Sequence, residues 1–156
     1  MNAPVAWWAQ DALDAALAEA DRTFPLETGG VLLGWRASTT EIVVTDLVGP
    51  GPRAEHYSVW FRPDADWQQE QIDALYALSG RTVTYIGDWH THPNGSPALS
   101  RKDLRTLRRI ARHPAARISQ PVMAVLAGGP AAWHLAVRQP RRPGGRRTEQ
   151  LTVTAY

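Results

Sequence analysis

The feature that most constrains this chain is a pair of histidines one residue apart, His90 and His92, which follow the apolar segment 83–86. In a β-strand, side chains two residues apart point to the same face, so both imidazoles would lie on one side of a sheet. Pro93 has no N–H for a further ladder hydrogen bond, so the strand should end there. The pattern therefore predicts a strand that delivers two imidazoles to one place.

An acidic residue lies at the start of the amphipathic segment that follows. Ser100 and Asp103 have the Ser-x-x-Asp spacing of a helix start, with the serine at the N-cap and the acid at N3. Taken alone, this spacing fits a simple capping role as well as it fits a metal ligand, and the two roles are compatible. If Asp103 converges with the two imidazoles, the three side chains form a zinc site with an open fourth position, which is typical of catalytic zinc.

These residues together resemble a known signature. His90-Thr91-His92-Pro93, six further residues and Ser100-Arg101-Lys102-Asp103 are similar to the motif of the JAMM (MPN+, JAB-domain) metalloproteases. That family also has an upstream glutamate near a glycine-rich strand entry, and Glu27 before Gly29-Gly30 fits it. The resemblance implies a cytidine-deaminase-like α/β fold and one Zn²⁺ held by His90, His92 and Asp103. It also implies Glu27 as general base and Ser100 as donor to the oxyanion.

The resemblance further implies a function. JAMM domains mostly hydrolyse isopeptide or peptide bonds after the C-terminal glycine of ubiquitin-like proteins. The segments 27–34 and 85–93 are similar to bacterial peptidases of CBASS-type and ubiquitin-like conjugation systems that act in antiphage defence. The expected substrate is a ubiquitin-like protein or a conjugated target, with E1- or E2-like enzymes as possible partners. Two alternatives stay open: processing of a sulfur-carrier or ubiquitin-like precursor, and a non-catalytic MPN-type binding module.

Composition limits the other classes of function. The 156 residues include no cysteine, so a metal must be held by His, Asp or Glu, and a cytoplasmic location is the simplest expectation. No apolar run approaches the length of about 18 residues that a membrane span needs, and we expect no membrane association. Residues 1–10 lack the pattern of a signal peptide.

Charge is distributed unevenly along the chain. Residues 1–100 carry 5 basic and 13 acidic side chains, whereas residues 101–156 carry 12 basic and 2 acidic ones. A basic half can bind nucleic acid or steer an acidic protein. No aromatic residues interleave with the arginines of 101–117, so the sequence disfavours nucleic acid as a partner. The arginine stripe of this segment fits a solvated helix face or a docking surface.

The resemblance implies one α/β domain over residues 1–156, with a central mixed sheet flanked by helices, and hydrophobic periodicity predicts where its elements lie. Helices are expected at 11–21, 64–78 and 101–113, with Trp7 and Trp8 packed beneath the first. Strands are expected at 31–35, 41–48, 57–61, 81–92, 122–127 and 131–138, with an edge strand at 151–155. The Arg-, Pro- and Gly-rich segment 139–147 should be a mobile loop. Asp88 shares the face of the two histidines, so it is either a rival ligand or, as we prefer, a partner that orients an imidazole. His56 could in principle bind metal, but we expect it to be structural or to line the substrate site.

Overall fold

The computed structural model describes residues 2–156. Within them lie nine strands, three α-helices and a 3₁₀ turn at Pro114–Ala116. The strands are β1 (Val5–Trp8), β2 (Gly29–Arg36), β3 (Glu41–Val48), β4 (Glu55–His56), β5 (Phe61–Arg62), β6 (Thr84–Pro93), β7 (Val122–Gly128), β8 (His134–Pro140) and β9 (Thr148–Ala155). The helices are α1 (Gln10–Thr23), α2 (Ala65–Leu78) and α3 (Arg101–Arg112).

Seven strands form one mixed sheet that closes on itself, in the order β1-β3-β2-β6-β7-β8-β9. The pairs β1–β3, β1–β9 and β6–β7 are parallel, and the other neighbours are antiparallel. The mixed α/β architecture is as predicted. The expectation of a terminal edge strand was wrong, because β9 pairs with β8 on one side and with β1 on the other.

The closing strand β1 was not predicted from the sequence. Four residues give too short a pattern to separate a strand from a loop, and both neighbours of β1 are distant in the chain. Ala6 and Trp8 are fully buried, while Val5 and Trp7 on the other face are partly exposed. Trp8 packs in the same core as the alanines of α1, so the predicted packing of Trp8 against the first helix is present.

Helices cover both faces of the sheet. The helix α1 buries a stripe of small residues, Ala12, Ala16 and Ala20, which lets its backbone approach the strands closely. The helix α2 places Trp67, Ile72 and Leu75 against a second cluster of residues that belong to the other face. That cluster consists of Val31, Leu33, Val48 and Val83. Side chains of β2 alternate between the two clusters, as the two-residue period of a strand requires.

Two short segments differ from the prediction. Residues 57–60 of the expected strand at 57–61 are instead the turn of a hairpin whose arms are β4 and β5, and Phe61 is the first residue of β5. Tyr57 and Trp60 stack on each other across this turn, with ring centroids 4.2 Å apart, so their aromatic character serves the turn rather than a strand. Residues 139 and 140 belong to β8, which leaves 141–147 as the arginine-rich loop. Its predicted mobility stays a prediction.

Membrane spans were searched for over residues 2–156. None of the helices there combines the length and the apolar character needed to cross a bilayer.

Candidate metal centre

His90, His92 and Asp103 come together at one point. The two histidines lie at the carboxyl end of β6, and Asp103 lies in the first turn of α3. The two Nε2 atoms are 3.0 Å apart, and each lies 3.3 Å from one carboxylate oxygen of Asp103. His90 is buried, and the other two are partly buried. The structure thus brings together the three side chains that the sequence predicted as metal ligands.

The spacing of these atoms fits a small tetrahedral ion. Bonds of about 2.0–2.1 Å to nitrogen and oxygen place neighbouring tetrahedral ligands about 3.3 Å apart. The three distances in the protein are 3.0, 3.3 and 3.3 Å. Two imidazole nitrogens that face each other at 3.0 Å also need a shared proton or a shared cation between them. These residues can therefore hold one metal ion.

Hydrogen bonds determine which nitrogen of His92 carries the proton, and they favour the ionised form of Asp103. The Nδ1–H of His92 donates to the carbonyl of Ser96 at 2.7 Å, which leaves Nε2 as the free lone pair. The hydrogen bond with Asp103 raises the pKa of His92, against the effect of burial. Burial alone would raise the pKa of Asp103, but its hydrogen bonds with His90 and His92 hold that pKa well below the usual range. The carboxyl group is therefore ionised and available as a ligand.

Asp103 has a second role as part of a helix cap. Its backbone N–H donates to Ser100 Oγ at 3.1 Å, and its carboxylate accepts from the Ser100 N–H at 2.8 Å. This reciprocal pair is a capping box, as the Ser-x-x-Asp spacing predicted. The cap orients the carboxylate of Asp103 toward the imidazoles. Because Ser100 Oγ acts as an acceptor here, its own proton stays free to be donated.

Glu27 reaches the same cleft from the segment between α1 and β2. This cleft, of about 550 Å³, is lined by Glu27, Ser100 and the three metal-binding candidates. Burial raises the pKa of Glu27, and the nearby imidazoles of His90 and His92 partly offset that increase. The structure places all five predicted site residues around one cavity.

Two glycines allow β2 to lie close against its neighbours at this point. Gly29 pairs with His90, and a Cβ at Gly29 would lie 2.2 Å from the carbonyl oxygen of Trp89. A Cβ at Gly30 would lie 1.9 Å from the carbonyl oxygen of Val48. No larger residue fits either position without moving the backbone. The glycine pair thus brings the strand entry, and Glu27 with it, beside the two histidines.

The residue between the two histidines ties the site together. Thr91 is fully buried and points away from the candidate metal-binding trio, His90, His92 and Asp103, as the strand period predicted. Its Oγ1 accepts from the Thr28 N–H at 3.0 Å, and its N–H donates to the Thr28 carbonyl at 2.8 Å. Thr28 Oγ1 in turn donates to Glu19 on α1 at 2.9 Å. Sequence reasoning missed this link, because its partners lie 63 residues apart.

Replacing Thr91 with valine should test the importance of this link. The change keeps shape but removes the acceptor for the buried Thr28 N–H, so we expect a loss of about 1–3 kcal/mol in the free energy of unfolding. Chemical denaturation measures this difference. Thr152→Val is the matched control, since Thr152 is an exposed strand residue. Equal stability of the two variants would contradict the role assigned to Thr91.

Two other residues near the site take different roles. The Asp88 carboxylate accepts from the Tyr85 hydroxyl at 2.7 Å, and burial raises the pKa of both groups. No hydrogen bond among residues 2–156 joins Asp88 to an imidazole, so its predicted orienting role was wrong. Tyr85, three residues away, satisfies the carboxylate instead. The ring of His56 lies outside the trio, with Nδ1 2.9 Å from the Glu27 carbonyl oxygen.

Comparison with known families identifies a profile that covers most of the chain. The family described as prokaryotic homologs of the JAB domain matches residues 9–139. This range contains all five predicted site residues. The match therefore supports the resemblance that was drawn from the motif.

Two curated relatives are named as a metalloprotease and an isopeptidase. The chain is 43% identical over 130 residues to a probable metalloprotease of Sinorhizobium fredii. The match covers 81% of this chain and 78% of that protein. It is 32% identical over 107 residues to a CD-NTase/cGAS isopeptidase of Enterobacter hormaechei, covering 67% of this chain. The matched part spans 57% of the length of that isopeptidase.

A solved structure has a similar fold. The solution structure of a protein from Desulfitobacterium hafniense superposes with a TM-score of 0.66 at 16% identity, and the match covers 97% of this chain and 93% of that one. At this level of identity the likeness concerns the fold alone.

Proposed function

Because this chain belongs to the prokaryotic homologs of the JAB domain, a family with metalloprotease and isopeptidase members, we propose that it is a zinc-dependent isopeptidase. Its substrate would be a ubiquitin-like or similarly conjugated protein, which it would release from its target. The observation that carries the proposal is the trio of His90, His92 and Asp103 with the Glu27 carboxylate in the same cleft. A non-catalytic binding module would not require this combination.

The donor set favours zinc among the metals. Two imidazole nitrogens and one carboxylate oxygen, with room for a fourth ligand, are typical of catalytic zinc sites. When bound, zinc would polarise the scissile carbonyl and lower the pKa of a water molecule toward about 7. His90, His92 and Asp103 would hold the ion.

Two side chains would take part in the reaction beside the metal, one by proton transfer and one by a hydrogen bond. The Glu27 carboxylate would accept a proton from the attacking water and return it to the departing amine. The Ser100 Oγ–H would donate a hydrogen bond to the carbonyl oxygen as negative charge develops and would keep its proton, a contribution of about 3 kcal/mol for a donor of this kind. Proton balance is complete, and no covalent intermediate with the enzyme is required.

The names of the relatives support a proposal for the target. The name of the Enterobacter hormaechei relative describes an isopeptidase for CD-NTase/cGAS, which makes a conjugated enzyme of a bacterial antiphage system a reasonable target. The proposal places the protein in the cytoplasm beside E1- or E2-like enzymes that form such conjugates. Processing of a linear precursor would use the same five residues, so the two reactions must be separated by experiment.

The metal is tested by elemental analysis. We expect about one zinc per wild-type chain and almost none in His92→Ala. Catalytic zinc sites use three protein ligands, and this substitution leaves only two. Absence of zinc in both proteins, after zinc has been supplied, would overturn the metal assignment.

The reaction is tested with two purified probes that differ only in their bond. One is ubiquitin attached through an isopeptide bond to a lysine-containing peptide, and the other is a linear fusion of ubiquitin to the same peptide. We expect the zinc-loaded chain to cleave the isopeptide probe, to lose activity with a chelator and to recover it with zinc. Cleavage of the linear fusion alone would favour precursor processing. No cleavage of either probe would overturn the proposal for this class of substrate.

A further inference from the structure

The backbone of Glu27 is held on both sides by the hairpin of β4 and β5. The Glu27 N–H donates to the carbonyl of Tyr57 at 2.8 Å. The Glu27 carbonyl accepts from Nδ1 of His56 at 2.9 Å. Both backbone polar groups of one residue are therefore satisfied by two consecutive residues of the hairpin, which lies about 30 positions further along the chain.

The His56 ring is itself fixed in place. A carbonyl oxygen can only accept a hydrogen bond, so Nδ1 carries the proton at this contact. The imidazole stacks on Phe61, with ring centroids 6.3 Å apart and planes 11° from parallel. Phe61 packs in turn against Gly29, where a Cβ would lie 2.8 Å from its Cζ. The donor is thus held by the opposite arm of the hairpin.

Only three side-chain torsions separate the Glu27 backbone from its carboxylate, so a rotation of the backbone also moves the carboxylate. A general base must lie about 2.6–3.2 Å from the proton it removes. On its C-terminal side, Glu27 is followed by Thr28, which is anchored to Thr91. On the hairpin side, the contacts from His56 and Tyr57 restrain Glu27 itself. The Glu27 carbonyl and the Thr28 N–H belong to one planar peptide unit, so loss of the His56 donor would leave that plane with the Thr91 contact as its remaining side-chain restraint and allow it to tilt.

We propose that His56 is a positioning residue for the reaction. Its Nδ1–H restrains the Glu27 carbonyl and so keeps the carboxylate directed into the cleft beside the metal-binding trio. This inference rests on the proposed role of Glu27 as general base. His56 is not one of the three converging candidate ligands, and in this role it transfers no proton.

Three variants separate positioning from general stability. His56→Ala removes the donor. His56→Asn restores an N–H close to the former position of Nδ1, because an asparagine side chain carries two amide donors on its γ-carbon. Glu55→Gln is the matched control, since it removes the ion pair with Arg62 in the same hairpin and leaves the contact with Glu27 intact.

The first measurement is steady-state kinetics of the zinc-loaded chains on the isopeptide probe. In His56→Ala we expect kcat to fall by about 10- to 100-fold, the range expected from misplacement of a catalytic group by about 1 Å, with KM within about twofold. His56→Asn should recover most of kcat, and Glu55→Gln should retain it. Zinc content should be equal in all four proteins.

The second measurement is hydrogen–deuterium exchange, which needs no substrate. In His56→Ala, peptides containing residues 27 and 28 should exchange at least about threefold faster than in wild type, because a local hydrogen bond has been lost. Peptides covering 90–103 should be unchanged. His56→Asn should restore the slow exchange.

The outcomes of the two measurements are separable. Wild-type exchange and wild-type kcat in His56→Ala would overturn the inference while leaving the proposed function intact. An equal fall of kcat in His56→Ala and Glu55→Gln would also overturn the inference, since that result indicates general loosening of the hairpin. Wild-type chain that binds zinc but cleaves neither probe would overturn the proposed function, and hydrogen exchange would still decide whether His56 holds Glu27.

Discussion

Substitution of Glu27 by glutamine is expected to lower kcat on the isopeptide probe by about 10²–10⁴-fold, the contribution typical of a general base. Glutamine keeps the length and shape of the side chain but cannot accept a proton from water at neutral pH. Zinc content should stay near that of wild type, because Glu27 is not one of the three converging ligands. KM should change little. Steady-state kinetics and elemental analysis on the same preparation measure both quantities.

A carboxylate outside the cleft provides the control for this result. Glu70 is an exposed residue of α2, so Glu70→Gln removes the same charge without touching the cleft. Its kcat should equal that of wild type. If Glu27→Gln retained wild-type kcat, another group would have to accept the proton, and the assignment of Glu27 as base would fail.

The second large effect is expected at Asp103, where two roles can be separated. Asp103→Asn and Asp103→Ala should both lose zinc and reduce cleavage to the level seen with a chelator. An amide oxygen is a much weaker ligand than a carboxylate, and alanine offers none. The asparagine oxygen can still accept from the Ser100 N–H, so only Asp103→Ala loses that half of the capping box.

The two variants should therefore differ in stability although both lack the metal. With a chelator present, the midpoint of thermal or chemical unfolding should be lower for Asp103→Ala than for Asp103→Asn, by about 1 kcal/mol in the free energy of unfolding. Both variants lack the ion pairs of Asp103 with His90 and His92, so loss of these ion pairs does not contribute to the difference in stability between the two variants. Retention of one zinc per chain in Asp103→Asn would contradict the ligand assignment. Equal stability would contradict the capping role.

Several elements could be predicted because their signals are local. The helix α2 was expected at 64–78 and occupies Ala65–Leu78, with Asp64 as the N-cap that accepts from the Trp67 N–H. The strand β3 has its predicted bounds, 41–48. The capping box of α3 was visible in the spacing of Ser100 and Asp103. In each case the information lies within one or two helical turns, or within one strand, where propensity and period decide the outcome.

The candidate site was also largely visible in the sequence, for a related reason. His90 and His92 share a face of one strand, and a capping turn ten residues later directs Asp103. Short-range geometry thus limits where these three side chains can lie. Glu27 has no such local signal, and only its place in the family motif indicated it.

Other features depended on contacts between distant segments, which only the tertiary structure decides. The ring closure by β1, the link from Thr91 to Thr28 and the contact from His56 to Glu27 each join segments at least 29 residues apart. The partner of Asp88 is close in sequence, yet the two-residue period favoured the imidazoles over Tyr85, which lies three residues away. A register shift of β6 between Tyr85 and Gly87 changes the faces on which these side chains lie. The sequence by itself predicted which three side chains would converge as candidate metal ligands, and it determined most of the local elements that carry them. Long-range strand pairing and packing decided how Glu27 is held beside them, because such contacts leave no periodic trace in the chain.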